Sequence, residues 1–206
     1  MNHYSFNDAQ YGTHSLVAEE IGKGLSVLDV GCNKGYLKIL SDTNDFYGID
    51  YDENDLKNAL AMGYREVYKI DLNACRDFSC NRKFDVIIFG DVLEHLLFPQ
   101  EVLEFFIERY LKVGGKIIIS IPNVANISIR ARLFFGNFDY TESGILDRTH
   151  LHLYTKRTAR EFIEGVGLSI IKKKYSSNNF GRLIALLPQL GGLLGFNLIF
   201  ICQKKS

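Results

Sequence analysis

At 206 residues, with 47% hydrophobic and 13% aromatic side chains, the chain is sized for one compact domain that buries roughly 70% of its unfolded surface. Lysine plus arginine and aspartate plus glutamate both total 24, so net charge gives no pull towards nucleic acid, and no nucleic-acid partner is expected. The four cysteines, Cys32, Cys75, Cys80 and Cys202, form no C-x-x-C pair and no ligand series with the histidines, which argues against a disulfide framework or a zinc site and fits a reducing cytoplasm.

In chain order, the start MNHYSFNDAQYG has neither the basic stretch nor the apolar run of an export signal. Strands are expected at Ser26 to Val30, Phe46 to Ile49, Glu66 to Ile70, Phe84 to Phe89, Lys116 to Ile121, Leu168 to Tyr175 and Phe196 to Gln203. Amphipathic stretches lie between them. The clearest, PQEVLEFFIERYLKVGG, offers Pro99 as a helix start and Gly114-Gly115 as a stop. TKRTAREFIEG opens on the N-cap candidate Thr155 and ends on the C-cap candidate Gly165. This alternation predicts an α/β fold with a doubly wound, mostly parallel sheet. Leu183 to Cys202 carries no charge and is long enough to cross a bilayer. Pro188, Gly191-Gly192, Gly195 and Asn197 break it into a short helix, a turn and a strand, so membrane contact is not expected.

In such a sheet ligands bind beyond the carboxyl ends of the strands, where strand order reverses. The first such end reads VLDVGCNKG, with Asp29 followed by a bare loop from Gly31 to Gly35. A nicotinamide site calls for G-x-G-x-x-G, and the later glycine positions hold Asn33 and Tyr36, so the pyrophosphate turn is poorly matched and NAD is the alternative ligand. A ligand without phosphates fits better, its amino-acid end against the loop and its ribose hydroxyls on Asp50, 19 residues beyond Gly31.

These residues resemble the class I S-adenosylmethionine-dependent methyltransferases from about Val27 to Tyr175. The first motif looks like Asp29 to Gly35, with Asn33 at the usual central glycine and Cys32 giving a backbone contact. Asp50-Tyr51 resembles the second motif, and Asp71-Leu72 the pair that caps the adenine. In FDVIIFGDVLEHL, Gly90, Asp91 and Val92 would line the cofactor. His95 is assigned to the same lining, with a role as base the alternative. The resemblance implies S-adenosyl-L-methionine as cofactor and a Rossmann-like seven-stranded sheet with its last strand antiparallel. It makes residues 1 to 206 a single methyltransferase domain, with an acceptor-side insertion at about 122 to 154.

That insertion contains S-I-P-N, G-N-F-D-Y and G-I-L-D-R-T-H, which resemble a bacterial group that is MetW-like or associated with polysaccharide synthesis. If HLHLY is extended, His150, His152 and Tyr154 project to one side and the leucines to the other, giving a polar strip beside a buried one. His150, with Asp147 three residues earlier to orient it, is the candidate general base, and His152 the next. Asp147, His150 and His152 could alternatively hold a metal, but no metal is assigned. Arg130, Arg132 and Arg148 are candidates for gripping an anionic acceptor. The expected activity is methyl transfer to oxygen of a small molecule or glycan precursor. A non-catalytic cofactor-binding partner protein and a nicotinamide oxidoreductase are the alternatives, and FDVIIFG is followed by no N-P-P-Y-like motif of base methylation.

Overall fold

The β-rich apolar runs become β1 (Ser26–Val30), β2 (Asp45–Asp50), β3 (Glu66–Lys69), β4 (Phe84–Gly90), β5 (Leu111–Pro122), β6 (Leu168–Tyr175) and β7 (Asn197–Lys204). These belong to a computed structural model that describes residues 8–205. Residues 1–7, part of the stretch without an export signal, lie outside the described residues. The strands form one sheet in the order β3-β2-β1-β4-β5-β7-β6. Pairing is parallel from β3 through β5, and β7 is antiparallel to both β5 and β6. This is the doubly wound, mostly parallel sheet expected, with its last strand reversed.

The helices are α1 (Thr13–Ile21), α2 (Tyr36–Leu40), α3 (Glu53–Ala61), α4 (Pro99–Tyr110), α5 (Ile127–Phe134), α6 (Lys156–Gly165), α7 (Gly181–Leu186) and α8 (Gly191–Leu194). A central parallel strand is covered on both faces and so reads as a continuous apolar run. In β1 and β4, Leu28, Val30, Ile87 and Phe89 enter one buried cluster. Their alternating neighbours Val27, Val86 and Ile88 enter another. β2 lies on one side of β1 and β4 on the other, so the connections leaving the carboxyl ends of β1 and β4 diverge and open a cleft there.

Three local expectations are corrected. The α4 helix stops at Tyr110, and Leu111 already pairs with Phe84 before the register shifts to Lys116 against Val86. Gly114 (φ +76°) and Gly115 form that irregularity instead of capping the helix: a Cβ on Gly115 would lie 2.9 Å from the Lys112 carbonyl oxygen and 3.0 Å from that of Asp85. At α6 the Thr155 cap is reciprocal with Thr158, but Gly165 is still helical and the left-handed residue is Gly167 (φ +78°). Strand β7 starts at Asn197 instead of Phe196. The uncharged segment from Leu183 divides into the end of α7, a turn at Pro188–Leu190, α8 and most of β7. Among the described residues no helix is long and apolar enough to cross a membrane.

Candidate functional site

At the diverging strand ends the loop after β1 runs through Gly31 (φ +76°), Asn33 (φ +47°) and Gly35 (φ +78°). Left-handed backbone of this kind suits glycine and is tolerated by asparagine. Gly31 also has no room for a side chain, because its Cβ would sit 2.3 Å from Val92 Cγ2 in the loop after β4. At Gly90 a Cβ would meet nothing within 4 Å and would project into open space at the cleft. Cys32 is buried, its Sγ packed where a Cβ on Gly48 would lie 2.6 Å away. Burial pushes its thiol well above the ordinary range, as befits a space filler and not a nucleophile.

Asp50, at the end of β2, is 7% exposed. Its Oδ2 accepts from the Asn33 amide at 2.8 Å and its Oδ1 from the Asp52 amide at 3.0 Å. Each carboxylate oxygen keeps a lone pair, so Asp50 can clamp the glycine loop and still accept from a diol. Asp71 caps the turn Leu72–Asp77 by accepting from the Asn73 amide at 2.9 Å. These groups meet at a cavity of about 350 Å³ whose wall includes Gly31, Asp50, Tyr51, Asp71, Leu72 and Asp91. Asn33, Gly90, Val92 and His95 line it too, whereas Gly35, Asp29 and Cys32 of the predicted set do not. Asp29 and Cys32 lie behind the loop beside a pocket of about 30 Å³, which Gly31 and Asn33 share. Asp29 is 4% exposed and accepts from the Tyr64 hydroxyl at 2.6 Å. Burial dominates over that hydrogen bond and raises its carboxyl to about 7.

A second cavity, of about 340 Å³, adjoins the first and shares Asp91, His95 and Thr149 with it. Asp91 has φ +54° and accepts from Ser120 Oγ at 2.6 Å and from Asn197 Nδ2 at 2.6 and 2.7 Å. β5 and β7 thus fix the wall between the cavities. Asp147, His150, Glu94 and His14 also line the second cavity. His95 and His150 stand edge to face with ring centroids 4.7 Å apart. Burial, and next the neighbouring His150, hold His95 below the ordinary histidine range.

The HLHLY segment does not carry its side chains as the alternation implies. His150 and Tyr154 are buried and Leu151 is 54% exposed, because the segment is pinned through its backbone and not laid into the sheet. The amides of Leu151 and His152 donate to the Glu94 carbonyl at 2.8 and 3.1 Å. His150 Nδ1 pairs with the Ile145 carbonyl at 3.0 Å, so Asp147 does not orient it through its carboxylate. That carboxylate accepts from Thr149, amide at 2.8 Å and hydroxyl at 2.7 Å. His152 Nε2 pairs with the Leu96 carbonyl at 2.9 Å, which ties two loops together outside the second cavity. Arg148 pairs with Glu142 at 2.8 Å, and none of Arg130, Arg132 and Arg148 lines either cavity.

Sequence reasoning overlooked Glu94, His14, Thr149 and Asn197. Glu94 is 1% exposed, and neither carboxylate oxygen has a hydrogen-bond partner among the described residues. Burial, and next the nearby Asp91, drive its carboxyl well above the ordinary range. The one signal available was its place beside His95 in an otherwise apolar VLEHL stretch.

A family model described as methionine biosynthesis protein MetW matches residues 12–176. Among curated proteins, the chain is 32% identical over 121 residues to the mitochondrial ubiquinone biosynthesis O-methyltransferase of Candida albicans, covering 54% of this chain and 37% of that protein. It is 31% identical over 103 residues to the ribosomal protein L11 methyltransferase of Janthinobacterium sp. (strain Marseille), covering 47% and 32%. The chain thus spans about a third of the length of these curated relatives. Among solved structures it resembles a chain of the complex between the Haloferax volcanii Trm112 methyltransferase activator and a methyltransferase, with TM-score 0.65 at 16% identity, over 96% of this chain and 91% of that one. Magnesium protoporphyrin IX methyltransferase from Synechocystis PCC 6803, solved with S-adenosylhomocysteine, gives TM-score 0.60 at 21% identity over 94% and 80%. The N-methyltransferase NodS from Bradyrhizobium japonicum WM9, also solved with S-adenosylhomocysteine, gives 0.62 at 15% over 94% and 85%.

Proposed function

The chain belongs to the MetW family and has the class I S-adenosylmethionine-dependent methyltransferase fold, and from that premise we propose that it transfers a methyl group from S-adenosylmethionine to an oxygen of a small-molecule or glycan-precursor acceptor. The observation that carries this reading is the pair of adjoining cavities. One has bare glycine loops and strand-end carboxylates, the other a polar wall of histidines, and Asp91, His95 and Thr149 form their common boundary.

The residues fit the cofactor group by group. Asp50 has the lone pairs to accept from two ribose hydroxyls. Leu72 and Leu96 supply apolar wall for an adenine, with Asp71 at its edge. Gly31 and Gly90 leave the backbone open to the amino-acid end, and Asp29 lies behind it as a counter-charge for an ammonium. The cofactor, when bound, supplies an activated electrophilic methyl group, so the chain has to align the acceptor and manage its proton. His95 stands where the second cavity meets the first, with His150 beside it on the wall of the second, and the two imidazoles are the groups that would take up that proton or hold a cation that makes it leave. Asp147 acts at one remove, by fixing Thr149.

Calorimetry is the test of the cofactor half. S-adenosylhomocysteine is expected to bind with a Kd in the low micromolar range, about −8 kcal/mol, and NAD to give no heat. Tight NAD binding without S-adenosylhomocysteine binding overturns the assignment. For the acceptor half, hydroxyl-bearing nucleotide sugars and glycan precursors are to be screened beside amine acceptors, and methylation confined to amines overturns the oxygen assignment.

A further inference from the structure

The Glu94 carboxylate is the anomaly of the site. A buried carboxylate with no hydrogen-bond partner is among the most expensive arrangements a fold can hold, and such groups ordinarily pair with a cation or coordinate a metal. Its two oxygens face no donor among the described residues. What stands beside it is a pair of histidines: Glu94, His95 and His150 can each offer one ligand atom, and these atoms all lie within 4.8 Å of one another.

The hydrogen bonds around the two rings decide which nitrogen each offers. The Ile145 carbonyl can only accept, so a hydrogen of His150 sits on Nδ1, and in the neutral ring the lone pair is left to Nε2. The Thr149 hydroxyl donates to Asp147 Oδ1 at 2.7 Å, so towards His95 Nδ1, 3.0 Å away, it accepts. The Thr149 carbonyl, 3.2 Å from the same nitrogen, also only accepts. His95 is therefore protonated on Nδ1 as well, with Nε2 as its donor atom. A ring whose Nδ1 hydrogen is tied to a carbonyl or to a carboxylate-backed hydroxyl, and whose other nitrogen is bare, is the arrangement that supporting residues impose on metal-ligating histidines.

We propose that Glu94, His95 and His150 bind a divalent first-row transition cation, and that the cation takes the acceptor's oxygen as a further ligand. Two imidazoles and one carboxylate suit manganese, iron, cobalt or zinc better than magnesium or calcium, which prefer all-oxygen shells. Three protein ligands leave coordination positions open, and all three residues line the acceptor cavity. The cluster is not the Asp147, His150 and His152 set that the sequence offers. His152 faces the Leu96 carbonyl and Asp147 is taken up by Thr149. The role of the cation in transfer rests on the methyl-transfer reading, whereas the cation site does not. An acceptor hydroxyl ligated there loses its proton to solvent. Its oxygen then forms the new C–O bond as the S–C bond of the sulfonium breaks, and the electrons of that bond leave on the neutral sulfide.

The experiment starts from chelator-treated full-length protein. Binding of Mn²⁺ is followed by the loss of its free electron-paramagnetic signal, Co²⁺ by visible absorption and Zn²⁺ by competition, with S-adenosylhomocysteine affinity measured on the same samples. One cation per chain is expected. Glu94→Gln and His150→Gln should each weaken it by at least about tenfold, with S-adenosylhomocysteine affinity held within about twofold because neither residue lines the cofactor cavity. Wild type that binds S-adenosylhomocysteine but takes up none of the three cations overturns the proposal, as do variants that bind the cation as tightly as wild type. Wild type that binds the cation but not S-adenosylhomocysteine supports the site and removes the cofactor reading alone. Should Glu94→Gln fail to fold, the Co²⁺ spectrum of wild type decides, and a spectrum without imidazole ligation overturns the proposal.

Discussion

The two sides of the cleft are built by different means. On the side proposed for the cofactor the contacts are short in sequence: Asn33 to Asp50 spans 17 residues, and Asp52 to Asp50 and Asn73 to Asp71 span two each. They join backbone amides to strand-end carboxylates, so the loop compositions nearly suffice to make them. On the side proposed for the acceptor His95 meets Thr149 across 54 residues, His152 meets Leu96 across 56 and Asn197 meets Asp91 across 106. Side chains do the work there, and each has its partner only because the finished fold brings it. A local site can be changed one residue at a time, whereas a site assembled at long range fails through its supports as readily as through its reacting groups.

The largest expected effect tests whether the two sides can be separated. His150→Ala should lower single-turnover methyl transfer by about a hundredfold or more, as loss of a proton-managing group does, and leave S-adenosylhomocysteine affinity within about twofold. Loss of both together would make His150 a structural residue and blur the division. The next effect is the converse. Asp50→Ala removes the acceptor for two backbone amides and the proposed grip on the ribose, and should weaken S-adenosylhomocysteine binding by about 2 to 3 kcal/mol. Calorimetry finding an unchanged Kd would move the ribose elsewhere.

A smaller effect is expected at the boundary. Asn197→Ala removes the Asn197 donor from both oxygens of Asp91 on the wall common to the two cavities, leaving Ser120 on Oδ1, and the loss of a charge-assisted bond of this kind is worth about 1.5 kcal/mol. Cofactor affinity and transfer should therefore both fall by about tenfold. A change in only one of them would assign Asp91 to that side.

The same division explains what was legible in the sequence. The strands, and the glycine loop and strand-end carboxylates that meet at one cavity, could be read because β-rich apolar runs and glycine loops announce themselves locally. The ends of α4 and α6 were misplaced because glycine signals a special backbone without saying whether it makes a cap or a bulge. His150 was legible as a polar residue in an apolar alternation, but its surroundings were not: extended pairing would turn the leucines inward, and backbone bonds to the Glu94 carbonyl turn His150 inward instead. Glu94 was passed over because its meaning lies in lacking a partner, which only the folded chain reveals.

The smallest effect concerns pH and the one cofactor-side acid that is hidden from the main cavity. Asp29 is fully enclosed, with the Tyr64 hydroxyl bonded to it, Asp50 nearby and His14 and Cys32 on the wall of the same small pocket. Its carboxyl is raised from 3.8 to about 7, so between those values the folded chain keeps a proton that the unfolded chain has lost. The sign follows: this group favours the fold fully below the unfolded value, and stability is lost as pH rises through about 7, by at most about 4 kcal/mol in total. Asp29→Asn, whose carbonyl can still accept from Tyr64, should abolish that slope and unfold at a higher temperature than wild type at pH 8. A bound ammonium beside Asp29 would favour the charged form. Wild-type affinity for S-adenosylhomocysteine should then rise about threefold from pH 6.5 to 7.5, tracking the ionised fraction of a group that titrates near 7, with proton release on binding seen as a dependence of the calorimetric heat on buffer. In Asp29→Asn both the rise and the proton release should vanish. If the rise persists in that variant, the titrating group is another, and Asp29 is left as a structural acid behind the loop.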